Sequence, residues 1–153
     1  MNKFVVFFAS LLSVVYVHAA APMSEICKLE ERETSDFFTS ELVFDADKPD
    51  ANPPKYVDLL ERAVSEILNS QMNYEQIKAA FTDGGDEEFN DLYMTELVSN
   101  LTGKTYVQVL SYPGDNPYGL FFDAQTKKVV GAIEDGDYSI LVNGKKTYCT
   151  DLN

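Results

Sequence analysis

Carboxylates are the residues of this chain whose number and spacing could support catalysis. The sequence holds 25 Asp and Glu residues, and its single histidine, His18, lies in an N-terminal segment that we expect to be removed. Without histidine, the mature chain has no Ser-His-Asp or Cys-His nucleophile system and no histidine general base. Paired acids can instead hydrolyse glycosides, if one has a raised pKa in an apolar pocket while the other stays ionised. The candidates stand at the ends of predicted strands: Asp123, Glu134, Asp135 and Asp137.

These acids also have a structural interpretation. Asp and Gly are ordinary turn residues, so the run Glu134-Asp135-Gly136-Asp137 is typical of a hairpin connection. We therefore predict no catalytic residue, and a carboxylate-dependent, glycosidase-like hydrolase stands only as the alternative function.

Cation binding is the second chemistry that acids permit. Two groups offer oxygen ligands: Asp45, Asp47 and Asp50, and Asp83, Asp86 and Glu87. The calcium-binding EF-hand spacing is not met, because Pro49 stands where a ligand is needed and Asp50 takes the glycine position. No glycine-rich phosphate-binding loop is present either. We predict no metal site and no cofactor.

An aromatic loop favours binding over catalysis. Tyr112 and Tyr118 flank a turn stiffened by two prolines, and the turn also carries Asp115 and Asn116. Tyrosine offers rigid apolar area with a polar tip, which suits interfaces, and recognition residues often lie on loops. We predict that Tyr112, Asp115, Asn116 and Tyr118 contact a partner. The competing interpretation is that these tyrosines cover the end of a sheet.

The first 20 residues have the pattern of a secretory signal peptide. Lys3 precedes an apolar run from Phe4 to Val17, and small residues follow, with cleavage expected after Ala19. The run is shorter than the roughly 20 apolar residues of a membrane-spanning helix. We assign residues 1–20 to the signal segment and residues 21–153 to a single secreted α+β domain, with no membrane span after cleavage.

Export makes two covalent modifications possible. Cys27 and Cys149 are the only cysteines, and an oxidising compartment would join them in a disulfide that ties the N-terminal segment to the last strand. The alternatives are a free nucleophilic thiol and an intermolecular bridge. Asn100-Leu101-Thr102 is an N-x-[ST] sequon, so Asn100 is a candidate glycosylation site.

The charge of the chain limits its partners. The formal net charge is −13, which argues against binding to nucleic acid or to an anionic membrane, because both need a basic surface. The partners that remain are an extracellular protein or a small ligand, including a cationic one, although solubility alone could also account for the charge.

The C-terminal third predicts an antiparallel β-meander. β-Branched and aromatic runs alternate with short turn sequences; the predicted strands are Thr105–Tyr112, Gly119–Asp123, Lys127–Ile133, Tyr138–Val142 and Lys145–Cys149. Asn143-Gly144 favours a two-residue type I′ turn. That turn pairs Val142 with Lys145 and directs Cys149 towards the core, since side chains alternate along strands.

The preceding part predicts helices. From Tyr56 to Leu68 apolar residues follow a helical spacing without a miss. Asn73 can cap a shorter helix that ends near Thr82, and a third helix is predicted from Asp86 to Leu101. The segment Phe37–Phe44 is apolar, but helix and strand are hard to separate there.

These elements predict an α+β fold. Four to five C-terminal strands form an antiparallel meander that two to three N-terminal helices cover on one face. Helices followed by such a meander resemble cystatin-like folds in outline. Tyr112 stands where the cystatin inhibitory motif Gln-x-Val-x-Gly needs glycine, so no family is assigned. We expect a secreted, acidic, disulfide-linked binding protein, inhibitor-like or ligand-binding.

Overall fold

One antiparallel sheet of seven strands organises the chain in the computed structural model, which describes residues 25–30, 34–82, 91–112 and 116–152. Each strand lies beside the next one in sequence. The strands are β1 (Phe38–Asp45), β2 (Leu92–Ser99), β3 (Thr105–Ser111), β4 (Tyr118–Asp123), β5 (Val129–Glu134), β6 (Asp137–Val142) and β7 (Lys145–Tyr148). The predicted signal peptide lies outside the described residues.

The helices stand between the first two strands and around β1. The single turn α1 (Thr34–Phe37) leads directly into β1, and α2 (Val57–Ile67) and α3 (Tyr74–Thr82) connect β1 to β2. A 3₁₀ helix, Cys149–Leu152, follows β7. None of the helices within these residues is long and apolar enough to span a membrane.

The predicted α+β class and the antiparallel meander are confirmed, but the count of four to five strands is wrong. One of the extra strands, β1, comes from the segment whose conformation the sequence left open. The other, β2, occupies residues that were assigned to a helix from Asp86 to Leu101. That assignment is wrong for Leu92–Ser99, and residues 83–90 lie outside the described part of the chain.

The terminal hairpin has the predicted register. Asn143 and Gly144 both have positive φ, 52° and 76°, as a type I′ turn requires. Val142 pairs with Lys145, and the pairing continues to Ser139 and Tyr148. Cys149 then leaves the strand and opens the 3₁₀ helix, so the predicted strand is one residue too long.

The helices α2 and α3 supply half of one core. α2 buries the apolar side of its helical repeat, Leu59, Leu60, Ala63 and Val64, and α3 begins where Asn73 Oδ1 accepts a hydrogen bond of 2.9 Å from the amide of Gln76. Buried side chains of the sheet complete this cluster, among them Phe44, Leu92, Met94, Val107, Val109 and Phe122. Each such Leu, Val or Phe stabilises the fold by about 1.5–3 kcal/mol.

The opposite face of the sheet carries a second core. Side chains alternate along strands, so Leu97, Tyr106 and Phe121 point away from the helices. They pack with Ile140, Cys149 and the N-terminal turn at residues 25–30. The Cys27–Cys149 disulfide, with 5.4 Å between the two Cα atoms, holds that turn in place. The predicted disulfide and the inward orientation of Cys149 are confirmed. The prediction that the sheet is covered on one face is incomplete, because the N-terminal turn packs on the other face.

Candidate binding cleft

Asp123 stabilises a turn at one end of the sheet. Its Oδ1 atom accepts hydrogen bonds of 2.9 Å from the amides of Gln125 and Thr126, and its Oδ2 atom lies 2.9 Å from the ammonium group of Lys104. Burial opposes ionisation, but the two amides and the ammonium group outweigh it and lower the pKa of Asp123. This side chain therefore acts as a turn cap.

The other three candidate acids share one hairpin at the opposite end. Asp135 and Gly136 are the two turn residues, with φ of 55° and 88°, and they join Glu134 to its paired residue Asp137. β5 runs from Val129, opposite Phe122, to Glu134, which is roughly 16 Å at about 3.3 Å per residue. Glycosidase carboxylates lie about 5–9.5 Å apart. Asp123 is therefore too far from Glu134 to form such a pair.

The described end of the predicted aromatic loop, residues 116–118, lies beside this hairpin. The amide of Gly136 donates a hydrogen bond of 3.2 Å to the carbonyl oxygen of Pro117, which joins the β3–β4 loop to the β5–β6 turn. Asn116 is exposed, and Tyr112 and Tyr118 are half-buried. Asp115, the fourth predicted contact residue, lies outside the described residues.

Tyr118 and Glu134 come together on the face that carries α2. Gly119 pairs with Ile133, so one further residue on each strand brings Tyr118 opposite Glu134 with both side chains on the same face. The last turn of α2 lies over them and adds Glu66. The result is an open cleft of about 250 Å³, lined by Glu66, Ile67, Tyr118, Gly119, Leu120, Ala132, Ile133 and Glu134. We call it the acidic cleft.

The carboxylates of the acidic cleft remain accessible to water. The side chains of Glu66 and Glu134 are 47% and 51% exposed. Glu66 contacts Arg62 over 3.4 Å, and Glu134 contacts Lys146. With Asp135 and Asp137 in the adjoining turn, four carboxylates stand near two cations, so this end of the sheet is locally negative.

No protein-family model, no curated protein and no solved structure matches the chain.

A second cleft lies at the other end of the sheet and is electrostatically balanced. It has a volume of about 340 Å³ and is lined by Tyr56, Gly103, Lys104, Thr105, Asp123, Ala124 and Gln125. Lys104 pairs with Asp123 across it, and the Tyr56 hydroxyl donates to Glu96, which Lys55 also contacts at 2.7 Å. Lys55, followed by Tyr56, lowers the pKa of Glu96. Lys55 and Lys104 therefore each already have an acidic partner.

The acidic groups considered for cations form no metal site where the structure describes them. Asp45 Oδ1 accepts a hydrogen bond of 2.9 Å from the amide of Asp47, which is a local turn interaction. Among the described residues no group of three or more acids, cysteines or histidines could hold a metal ion. The second predicted group, Asp83, Asp86 and Glu87, lies outside them.

A buried carboxylate is the main polar feature that the sequence did not predict. Glu25 is 3% exposed and accepts hydrogen bonds from the hydroxyl groups of Ser99 (2.6 Å), Thr102 (3.2 Å) and Tyr106 (2.9 Å). Burial, followed by the bond to Glu25, raises the pKa of Tyr106. The carboxylate of Glu25 and these three hydroxyl groups, which we call the Glu25 cluster, attach the N-terminal turn to the sheet. We therefore assign the Glu25 cluster a structural role.

Proposed function

We propose that this chain is a secreted binding protein whose acidic cleft receives a cationic group of an extracellular partner. The observation that carries the proposal is the shared position of Tyr118, Glu66 and Glu134 around one open cleft. An aromatic face and carboxylates are the two kinds of group that bind an ammonium or guanidinium ion best.

The size of the cleft favours a side chain over a whole cofactor. Its volume of about 250 Å³ is below the 300–1,000 Å³ that is usual for drug-sized ligands. A lysine or arginine side chain, or a small amine, matches this scale. The proposed partner is therefore a basic protein segment, or a small organic cation of similar size.

Charge supports the same ligand class at long range. A net charge of −13 attracts cationic partners and speeds their encounter, and the local excess of carboxylates then orients them. The balanced second cleft offers no such preference.

The disulfide supports export. A cysteine pair that closes most of the chain is typical of proteins that mature outside the reducing cytosol. Together with the predicted signal peptide, it supports the proposal that the chain binds its partner outside the cell.

The acidic cleft is less suited to the alternative, glycoside hydrolysis. A general acid of that mechanism needs a carboxyl group in an apolar site that raises its pKa. Both carboxylates of the acidic cleft are about half exposed, and each contacts a basic side chain. Binding therefore has more support from this geometry than catalysis.

The proposal is tested by titrating the protein with a short oligo-arginine peptide at low salt and measuring binding by calorimetry. The wild-type protein should bind it and should not bind an oligo-glutamate peptide of equal length. Glu134→Gln should weaken binding about three- to tenfold, equivalent to ~0.7–1.4 kcal/mol. Tyr118→Leu should weaken it by a similar factor, because the aromatic face is lost.

The matched control is Glu41→Gln. Glu41 is exposed on β1, and its substitution removes the same charge away from the acidic cleft. It should leave the affinity within about a factor of two, since it changes only long-range steering. Equal losses for Glu41→Gln and Glu134→Gln would show that net charge alone attracts the peptide, and would reject the cleft as the site.

A further inference from the structure

The outer edge of the sheet at β1 is exposed from Thr39 to Leu42, ahead of the register shift between Leu42 and Phe44. In the described residues β1 pairs only with β2, and Thr39, Ser40, Glu41 and Leu42 are exposed, Leu42 to 55%. An exposed edge strand presents unpaired backbone groups that can pair with a strand of another molecule. The opposite edge strand, β7, carries Lys145 and Lys146, and such charges discourage pairing.

Asn100 stands at the start of this open edge. Its amide donates a hydrogen bond of 2.8 Å to the carbonyl oxygen of Phe37, and its side-chain Oδ1 accepts one of 3.0 Å from the hydroxyl group of Thr39. The residue is exposed in the turn between β2 and β3. The next residue, Leu101, is 67% exposed. A bulky group on Asn100 would therefore stand next to Leu101 and at the start of β1, beside Thr39 and three residues before Leu42.

We propose that Asn100 carries an N-linked oligosaccharide that prevents β1 from pairing with a second copy of the chain. The sequon supplies the acceptor, and the open turn leaves room for the sugar. The oligosaccharide would thus act by steric exclusion. Asn100 lies at the opposite end of the sheet from the acidic cleft.

The chemistry needs a lipid-diphosphate-linked oligosaccharide, which a eukaryotic secretory pathway supplies. A bond forms between Asn100 Nδ2 and the anomeric carbon of the sugar, while the bond from that carbon to the diphosphate oxygen breaks. One proton leaves Nδ2, and the diphosphate departs with the electron pair. The product amide keeps one N–H, so it can still donate to the carbonyl oxygen of Asp36, which Nδ2 now contacts at 3.3 Å.

Thr102 completes the sequon and also has a structural task. Its hydroxyl group donates to the buried carboxylate of Glu25. Thr102→Ser keeps both the sequon and the hydroxyl group. Asn100→Gln removes the glycan acceptor but also displaces the amide that contacts Thr39 and Asp36. Removing the glycan enzymatically from the folded wild-type protein is therefore the control, because it leaves an Asp oxygen that can still accept from Thr39.

The first test is the mass of the full chain secreted from a eukaryotic host with its own signal sequence. Wild type and Thr102→Ser should be heavier than their polypeptides, and a glycan-removing amidase should abolish the excess and leave Asp at position 100. Asn100→Gln should show no excess mass. Chains that reach the medium with unmodified Asn100, or that stay in the cell unmodified, would overturn the proposal.

The second test is sedimentation over a range of concentrations. Glycosylated protein should keep a monomer mass, whereas the weight-average mass of amidase-treated protein and of Asn100→Gln should rise with concentration. Adding Leu42→Lys to Asn100→Gln should restore the monomer by placing a charge on the edge. If the protein without glycan stays monomeric at every concentration, or if Leu42→Lys leaves the association unchanged, the protective role is overturned.

Discussion

Ile26 packs directly on the backbone of Gly131. A Cβ atom at position 131 would lie 3.3 Å from both Cδ1 and Cγ2 of Ile26, and 2.8 Å from the carbonyl oxygen of Ser139. Ile26 is 2% exposed. The N-terminal turn is therefore seated in a depression of the sheet that only glycine leaves open.

Gly131→Ala should destabilise the protein by about 1–3 kcal/mol, because a buried site has no room for the added methyl group. Urea denaturation measures the loss. Ile26→Val removes Cδ1, so the double variant should lose less than the sum of the two single variants. Strict additivity would show that Ile26 does not limit the space at Gly131.

The disulfide should account for a large share of the stability. Cys27 and Cys149 are separated by 122 residues, and the chain-entropy model gives about 4–5 kcal/mol for a loop of that length. The double variant Cys27→Ser/Cys149→Ser should unfold at a much lower urea concentration. Hydrogen exchange should also show that, relative to wild type, the double variant exchanges faster at residues 25–30, with a smaller change in β3. Unchanged stability in the double variant would contradict this account.

Local patterns were sufficient to predict the C-terminal meander. Asn143-Gly144 specifies its turn through local backbone preferences, and with only two cysteines a disulfide had one possible pairing. β2 was missed for a physical reason. Leu92 and Met94 face one core while Leu97 faces the other, so the strand shows no clean alternation and its leucines also fit a helix.

The polar sites could be predicted only in part. Tyr118 and Glu134 were each identified, but Glu66 was not, because only the packing of α2 on β4 and β5 brings it to the acidic cleft. The Glu25 cluster was not predicted because its three hydroxyl groups lie 74 to 81 residues away from Glu25 in sequence. A single Glu in a short segment that follows the predicted signal peptide gives no indication of burial.

Glu25→Gln should destabilise the fold by about 1–3 kcal/mol. A carboxylate accepts from all three hydroxyl groups, whereas an amide NH₂ group must face one of these donors. The Ser99 hydroxyl cannot easily reverse, because its oxygen already accepts from the amides of Leu101 (3.2 Å) and Thr102 (3.1 Å). Urea denaturation checks the result, with the exposed substitution Glu41→Gln expected to stay within about 0.5 kcal/mol of wild type. Equal free energies of unfolding for the two variants would show that the Glu25 cluster does not stabilise the fold.

Asp123 should make stability depend on acid pH. Its pKa is lower in the folded protein than the ordinary value of 3.8, so the unfolded chain takes up the proton first as the pH falls. The ion pair with Lys104 and the turn hydrogen bonds therefore stabilise the fold above that value, and their contribution is lost as the pH falls through and below it. Asp123→Asn cannot titrate, so it should be less stable than wild type near neutral pH and lose less stability on acidification. Urea denaturation at several pH values between about 6 and 2.5 measures how the stability of each protein depends on pH.

Asp58→Asn is the control, because Asp58 is 61% exposed and lies 3.6 Å from Lys127. The stability of this variant should depend on pH with the wild-type slope. An Asp123→Asn slope that matches wild type would mean that other carboxylates cause the acid sensitivity.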